Sequence, residues 1–194
     1  MNTEWDKYAE GWDSNNDVIA YSEQAFMSLS DSINLHGLRV LDFGCGTGLL
    51  AEKISPIASE LVALDPSEKM ISILADKKLP NVTVVPAQLS KNLIAENKLF
   101  LYKFDLIVAS SVCSFLPELE STLVLLKSLL VQGGTFIQWD WLATEGHSDY
   151  GLSRETIESA YEKAGFKLQS LEYVFSLDSP DGDIQVLMGI AKNA

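Results

Sequence analysis

Two cysteines, Cys45 and Cys113, are all that the 194 residues contain, and their separation fits no metal-binding spacing. A disulfide-stapled secreted scaffold is excluded on that count, and a reduced, cytoplasmic setting is the default expectation. Positive charge is scarce as well: 14 Lys and Arg face 27 Asp and Glu, for a formal net charge of −13. Proteins that hold nucleic acid need Lys and Arg for the phosphates. Here the one adjacent basic pair, Lys77-Lys78, reads as a solvated helix end, so no nucleic-acid partner is expected. No apolar run approaches the roughly 18 residues of a membrane helix, so no membrane partner is expected either. The opening Met1 to Asp6 is acidic, with neither the basic nor the apolar region of a secretory signal.

What is present is apolar enough to fold. Hydrophobic residues make up 47% of the chain, which excludes a disordered class. A chain of this length buries about 70% of its unfolded surface in one core. One domain is expected over 1–194, with 1–34 as an N-terminal helical lid. Trp5, Tyr8, Ala9 and Trp12 recur at helical spacing and predict a helix over 3–12. Aromatics this dense cover either the core alone, or the core and a ligand over which Tyr8 and Trp12 close. Asn15-Asn16-Asp17 then caps a second helical run, about 18–30.

Strands and helices alternate from there. Apolar runs at 39–43, 61–65, 81–85, 104–109 and 135–139 read as strands. Helices are expected at about 47–57, from Pro66 onward, raggedly over 90–103, and from Pro117 to a stop at Gly133-Gly134. Asp65 with Glu68 resembles a capping box for the second of these. A polar loop at about 141–152 leads to a helix capped by Ser153 and closed by Gly165. Residues 166–175 and 184–190, joined by an Asp/Ser/Pro/Gly turn, read as a hairpin. The sum is an α/β, doubly wound, seven-stranded and mostly parallel sheet with an antiparallel C-terminal hairpin strand and N-terminal helices.

In such a sheet, ligands bind beyond the carboxyl ends of the strands. The glycine loop at Gly44, then Asp65, Gln88 and Ser110 all stand at strand ends. Gly44, Gly46 and Gly48 remove Cβ atoms at a bend, so backbone can turn through positive φ and approach a ligand. The helix beyond offers unpaired N–H groups to a polar or anionic cofactor group. A dinucleotide fingerprint places a third glycine where this chain has Leu49, so a buried pyrophosphate is poorly served. Asp65 either grips a ribose diol, which both cofactor classes carry, or caps its own helix.

Val40-Leu41-Asp42-Phe43-Gly44-Cys45-Gly46-Thr47-Gly48 resembles motif I of class I S-adenosylmethionine-dependent methyltransferases. The resemblance continues through Val62 to Ser67, Phe104 to Ser110, Gly133 to Phe136 and Ala164-Gly165-Phe166, and so spans most of the chain. Trp5-Asp6-Lys7-Tyr8-Ala9 with Trp12-Asp13 is similar to the N-terminal helix of the small-molecule branch, which includes quinone- and biotin-pathway enzymes. The resemblance implies a Rossmann-like methyltransferase fold, S-adenosylmethionine as cofactor, and methyl transfer to a small molecule. It implies that backbone at Gly44, Cys45 and Gly46 holds the methionine moiety and that Asp42 orders its amino group. Asp65 would take the ribose hydroxyls, while Pro66 and Met70 flank the adenine. Gln88 stands where the family has Asp or Asn reading the adenine amino group, and Leu89 N–H would meet a ring nitrogen. The Ser110 carbonyl would contact the amino group, and Tyr8 would lie against the sulfonium.

Transfer of a methyl group from a sulfonium asks mainly for alignment, which supplies roughly 7–11 kcal/mol. A base is needed only where the acceptor must lose a proton. Substrate-side candidates are His147, Asp140, Trp12 and Trp141. Of these His147 is a potential base near neutral pH or a solvated loop residue. Asp140 lacks the second carboxylate that a metal-assisted site requires after the fourth strand, where Ser110 and Ser111 stand, so no metal is expected. No Asn-Pro-Pro-Tyr or Asp-Pro-Pro-Tyr follows that strand, as in enzymes that methylate nucleic-acid amino groups. The alternative is a non-catalytic module that binds the nucleoside or a partner protein on the same fold.

Overall fold

A computed structural model describes residues 4–143, 151–178 and 183–194. After two 3-10 turns, Trp5–Lys7 and Trp12–Ser14, the elements alternate along the chain. They are α1 (Asn16–Ser32), β1 (Arg39–Phe43), α2 (Leu49–Ile54), β2 (Glu60–Asp65), α3 (Glu68–Asp76), β3 (Val82–Pro86), α4 (Lys91–Glu96), β4 (Phe104–Ser110), α5 (Leu119–Leu129), β5 (Leu130–Trp141), α6 (Arg154–Ala164), β6 (Lys167–Leu177) and β7 (Ile184–Lys192). All seven strands form one sheet in the order β3-β2-β1-β4-β5-β7-β6. The pairs from β3 to β5 are parallel, and β7 runs antiparallel between β5 and β6. This is the expected doubly wound architecture. Strand order reverses between β1 and β4, which opens a crevice at their carboxyl ends.

The central strands are apolar on both faces because both are covered. In β2, Leu61 and Ala63 pack with Ala25 and Leu29 of α1 and with Leu50 and Leu74 of α2 and α3. Val62 and Leu64 face the other core, which holds Leu123 and Leu126 of α5 and Tyr161 of α6. Each fully buried Leu contributes roughly 1.5–3 kcal/mol of transfer free energy. Among the described residues no helix is long and apolar enough to cross a membrane.

Several local expectations are corrected. The helix over 3–12 is two 3-10 turns, because Gly11 takes φ +88° between them; the aromatic spacing reflects clustering of rings and not a continuous helix. The helix expected at about 47–57 is six residues long, starting after Gly48. The capping box at Asp65 does not form. Ser67 is the N-cap of α3, its Oγ accepting from Met70 N–H, which leaves Pro66 outside the helix. The ragged stretch 90–103 is α4 followed by a 3-10 turn, Lys98–Leu101. Helix α5 stops at Leu129, four residues before the glycine pair. Gly133, at φ +76°, and Gly134 instead form a bend inside β5, held by Gly133 N–H on Asn193 O at 2.6 Å and Asn193 N–H on Gly134 O at 2.9 Å. The helix cap at Ser153 and the left-handed closure at Gly165 form as expected.

Candidate cofactor crevice

Beyond Phe43 the chain turns through Gly44, Gly46 and Gly48, all at positive φ. Two of these glycines answer to packing. A Cβ on Gly44 would lie 2.5 Å from Val112 Cγ2, and one on Gly48 would strike Leu74. At Gly46 the nearest atom is Trp12 Nε1, 3.9 Å from the Cβ position. Gly46 is therefore where a ligand can approach backbone closely. The loop's own donors are largely engaged within the fold. Gly44 and Cys45 N–H both reach Leu64 O, at 2.8 and 3.2 Å, and Gly48 N–H reaches Cys45 O at 2.9 Å. Gly46 N–H donates to Asp65 Oδ2 at 3.0 Å.

Asp65 closes β2 and ties the loop to the next segment, since its Oδ1 accepts from Ser67 N–H at 2.8 Å. Burial raises its pKa, two backbone hydrogen bonds oppose the rise, and Asp6 adds to it. Asp42, on β1, is only 1% exposed. Its Oδ2 is buried with no hydrogen-bond partner among the described residues. Burial, and then the neighbouring Asp65, raise its pKa to about 7. Two carboxylates so placed favour a cation or a donor between them, because either relieves the desolvation and the mutual repulsion.

The N-terminal segment roofs this loop. Trp5 meets Trp12 edge-on at 6.2 Å, Phe115 edge-on at 5.0 Å, and Tyr8 at 5.9 Å. Two carboxylates pin it down. Asp6 Oδ1 accepts from Ser67 Oγ at 2.5 Å, while Asp13 accepts from Thr47 Oγ1 and pairs with Lys77 Nζ at 2.7 Å. These anchors were missed in the sequence, where each reads as one more acidic surface residue. Only the spacing of Asp6 and Asp13 beside Trp5 and Trp12 hinted at them.

The remaining expected residues fall around the same edge. Pro66 is half-buried and Met70 fully buried at the start of α3, Gln88 is exposed just past β3, and Leu89 packs on the core. Ser110 ends β4 opposite Trp139, and Ser111 follows at φ +54°, an uncommon conformation for a residue with a side chain. Tyr8 is 55% exposed on the roof. Trp12 stands on the glycine loop, at the cofactor end of the crevice. Trp141 packs with the α1-side core, and its Nε1 is buried with no hydrogen-bond partner among the described residues. His147 lies outside the described residues.

Asp140 sits at the far side, fully buried near the end of β5. Its Oδ1 accepts from Ser114 N–H at 2.9 Å and its Oδ2 from Gln138 Nε2 at 3.0 Å. Burial dominates and raises its pKa to about 7, against the pull of those hydrogen bonds. Cys45 and Cys113 are both free and buried. Burial raises both thiols well above their usual range.

A family profile described as a methyltransferase domain matches residues 41–136, from β1 into β5. The ubiquinone biosynthesis O-methyltransferase of Rhizobium etli is 33% identical over 101 residues, which cover 52% of this chain and 40% of that one. The chain thus spans about two fifths of the length of such curated relatives. Among solved structures, a SAM-dependent methyltransferase from Aquifex aeolicus superposes with a TM-score of 0.70 at 21% identity, over 87% of this chain and 88% of that one. Magnesium protoporphyrin IX methyltransferase from Synechocystis PCC 6803, with bound SAM, superposes with a TM-score of 0.66 at 19% identity, over 90% and 79%. The matched stretch contains the glycine loop, Asp42 and Asp65. Residues 41–136 thus resemble a methyltransferase domain, and the fold is that of the S-adenosylmethionine-dependent methyltransferase structures it superposes on.

Proposed function

We propose that this chain binds S-adenosylmethionine in the β1–β4 crevice and transfers its methyl group to a small-molecule acceptor by in-line displacement. The observation that carries the reading is the buried, unpartnered Oδ2 of Asp42 beside Asp65. A pair of carboxylates there suits a ligand that carries an ammonium and a ribose diol. When bound, the cofactor supplies an electrophilic methyl on a cationic sulfur. Asp42 holds the amino group, with the Ser110 carbonyl as a second acceptor. Asp65 takes the ribose hydroxyls with the lone pairs left free by Gly46 and Ser67. Pro66 and Met70 flank the adenine, and Gln88 and Leu89 meet its edge. Trp5, Tyr8 and Trp12 cover the site and exclude water, so the charges within act in a low dielectric.

An oxygen acceptor is supported by the relatives, which are named O-methyltransferases. Residues 1–34 act as the lid of a single domain, and the free cysteines fit a cytoplasmic setting. Titration calorimetry with S-adenosylhomocysteine tests the cofactor assignment. Saturable one-to-one heat with a thermal upshift is expected, and the absence of both overturns it.

A further inference from the structure

The crevice provides for each part of the cofactor except its α-carboxylate. An amino-acid carboxylate needs donors or a cation, and the surroundings are acidic: Asp6, Asp13, Asp42 and Asp65 all border the loop. Four of the five main-chain N–H groups from Gly44 to Gly48 are engaged within the fold, which leaves that of Thr47. Lys77, the cation paired with Asp13, is held between Asp13 at 2.7 Å and Glu52 at 2.8 Å. Arg39 starts β1 at the opposite edge of the sheet, bound to Glu60 and to the carbonyls of Leu99 and Tyr102.

Among the described residues, the Trp12 indole is a side-chain donor that faces the loop. Trp12 Nε1 stands 3.9 Å from the Cβ position of Gly46, and no described residue accepts its proton. Its position is preset from three sides. Gly11 turns the chain at φ +88° just before it, Trp5 meets its ring edge-on, and Asp13 clamps the next residue to Thr47 and Lys77. An indole N–H is a donor without charge. It satisfies a carboxylate without repelling the ammonium and sulfonium a few bonds away, as a lysine in the same place would.

We infer that the Trp12 indole N–H binds the α-carboxylate of the cofactor, which makes the N-terminal segment a carboxylate clamp and not only a roof. The inference rests on the cofactor assignment above, and its test separates the two. The probes are S-adenosylhomocysteine and S-adenosyl-3-thiopropylamine, which differ only by the carboxylate. Trp12→Phe keeps an aromatic ring and removes the donor. Its affinity for S-adenosylhomocysteine should fall about tenfold to a hundredfold, as for a hydrogen bond to a charged group. Its affinity for the decarboxylated probe should stay within about twofold of the unsubstituted chain. Equal losses for both probes, or no loss for either, overturn the inference and leave Trp12 as packing. If the unsubstituted chain binds neither probe, the cofactor assignment itself fails. Should Trp12→Phe not fold, the unsubstituted chain still decides by NMR. One of its four indole N–H resonances should move downfield with S-adenosylhomocysteine and not with the decarboxylated probe, and identical shifts overturn the inference.

Discussion

Replacing Asp42 with Asn should stabilise the protein near pH 8 and weaken cofactor binding at the same time. The side chain keeps its shape and loses its charge in a site that is 1% exposed, where one carboxylate oxygen has no partner among the described residues. The folded pKa of about 7 stands against an ordinary value of 3.8. At about 1.4 kcal/mol per pH unit, that gap amounts to about 4 kcal/mol at full strength. An unpaired buried amide gives back about 1–3 kcal/mol of it. A net gain of about 1–3 kcal/mol at pH 8 follows, which is several degrees in Tm for a chain of this size. Because the folded pKa is raised, the folded state binds the proton more tightly between about pH 4 and 7. Stability of the unsubstituted protein therefore falls as pH rises through that window and levels off above it. Asp140, raised to about 7 for the same reason, adds a similar slope that survives in the variant. Urea unfolding at pH 5, 6, 7 and 8, followed by tryptophan fluorescence, measures both stability and slope. The variant should be more stable at pH 8, with a visibly flatter pH dependence. Calorimetry with S-adenosylhomocysteine should show weaker binding and less proton uptake or release. A variant that is less stable at pH 8, or whose slope between pH 5 and 8 is unchanged, refutes the reasoning.

Other substitutions probe the same loop and its support. Asp65→Ala removes acceptors that serve Gly46 and Ser67. It should lower affinity for S-adenosylhomocysteine by about a hundredfold or more while circular dichroism stays unchanged, two charge-assisted hydrogen bonds being lost. Unaltered affinity would reduce Asp65 to a tie between segments. Gly48→Ala meets both a positive φ of +85° and the Leu74 side chain, and should cost about 2–4 kcal/mol by denaturant unfolding. Adding Leu74→Ala should relieve part of that cost, so strict additivity of the two would contradict the contact. Gly189 lies in β7 where a Cβ would stand 2.6 Å from the Tyr161 hydroxyl. Gly189→Ala should therefore destabilise by about 1–3 kcal/mol, and Tyr161→Phe in that background should recover some stability.

What could be read in advance follows from the range of the forces involved. Alternating apolar runs and breakers are local, and they carried the strand count, the parallel sheet and the terminal hairpin. Ser153 and Gly165 were legible as helix ends because capping acts within one turn. Where two local signals competed, context decided. Asp65 and Ser67 are both capping residues. Asp65 is drawn into β2, where it pairs with Pro86 and receives Gly46 N–H, so the cap passes to Ser67. The Gly133-Gly134 pair reads in the sequence as a helix stop. The pairing of Leu130 with Phe104 starts β5 early and makes it a strand bend instead.

From the sequence alone came the glycine loop, the acidic strand end at Asp65 and the exclusion of a third glycine by Leu49, all properties of residue type at fixed spacing. The tertiary structure alone decided what those glycines are for: Gly44 and Gly48 admit Val112 and Leu74, and Gly46 faces Trp12. It also decided that Asp6 and Asp13 are anchors of a roof and not surface charge. These contacts join residues 61 and 34 positions apart. No periodicity encodes such pairs, because they depend on where the fold brings the N-terminal turns against the glycine loop and the start of α3.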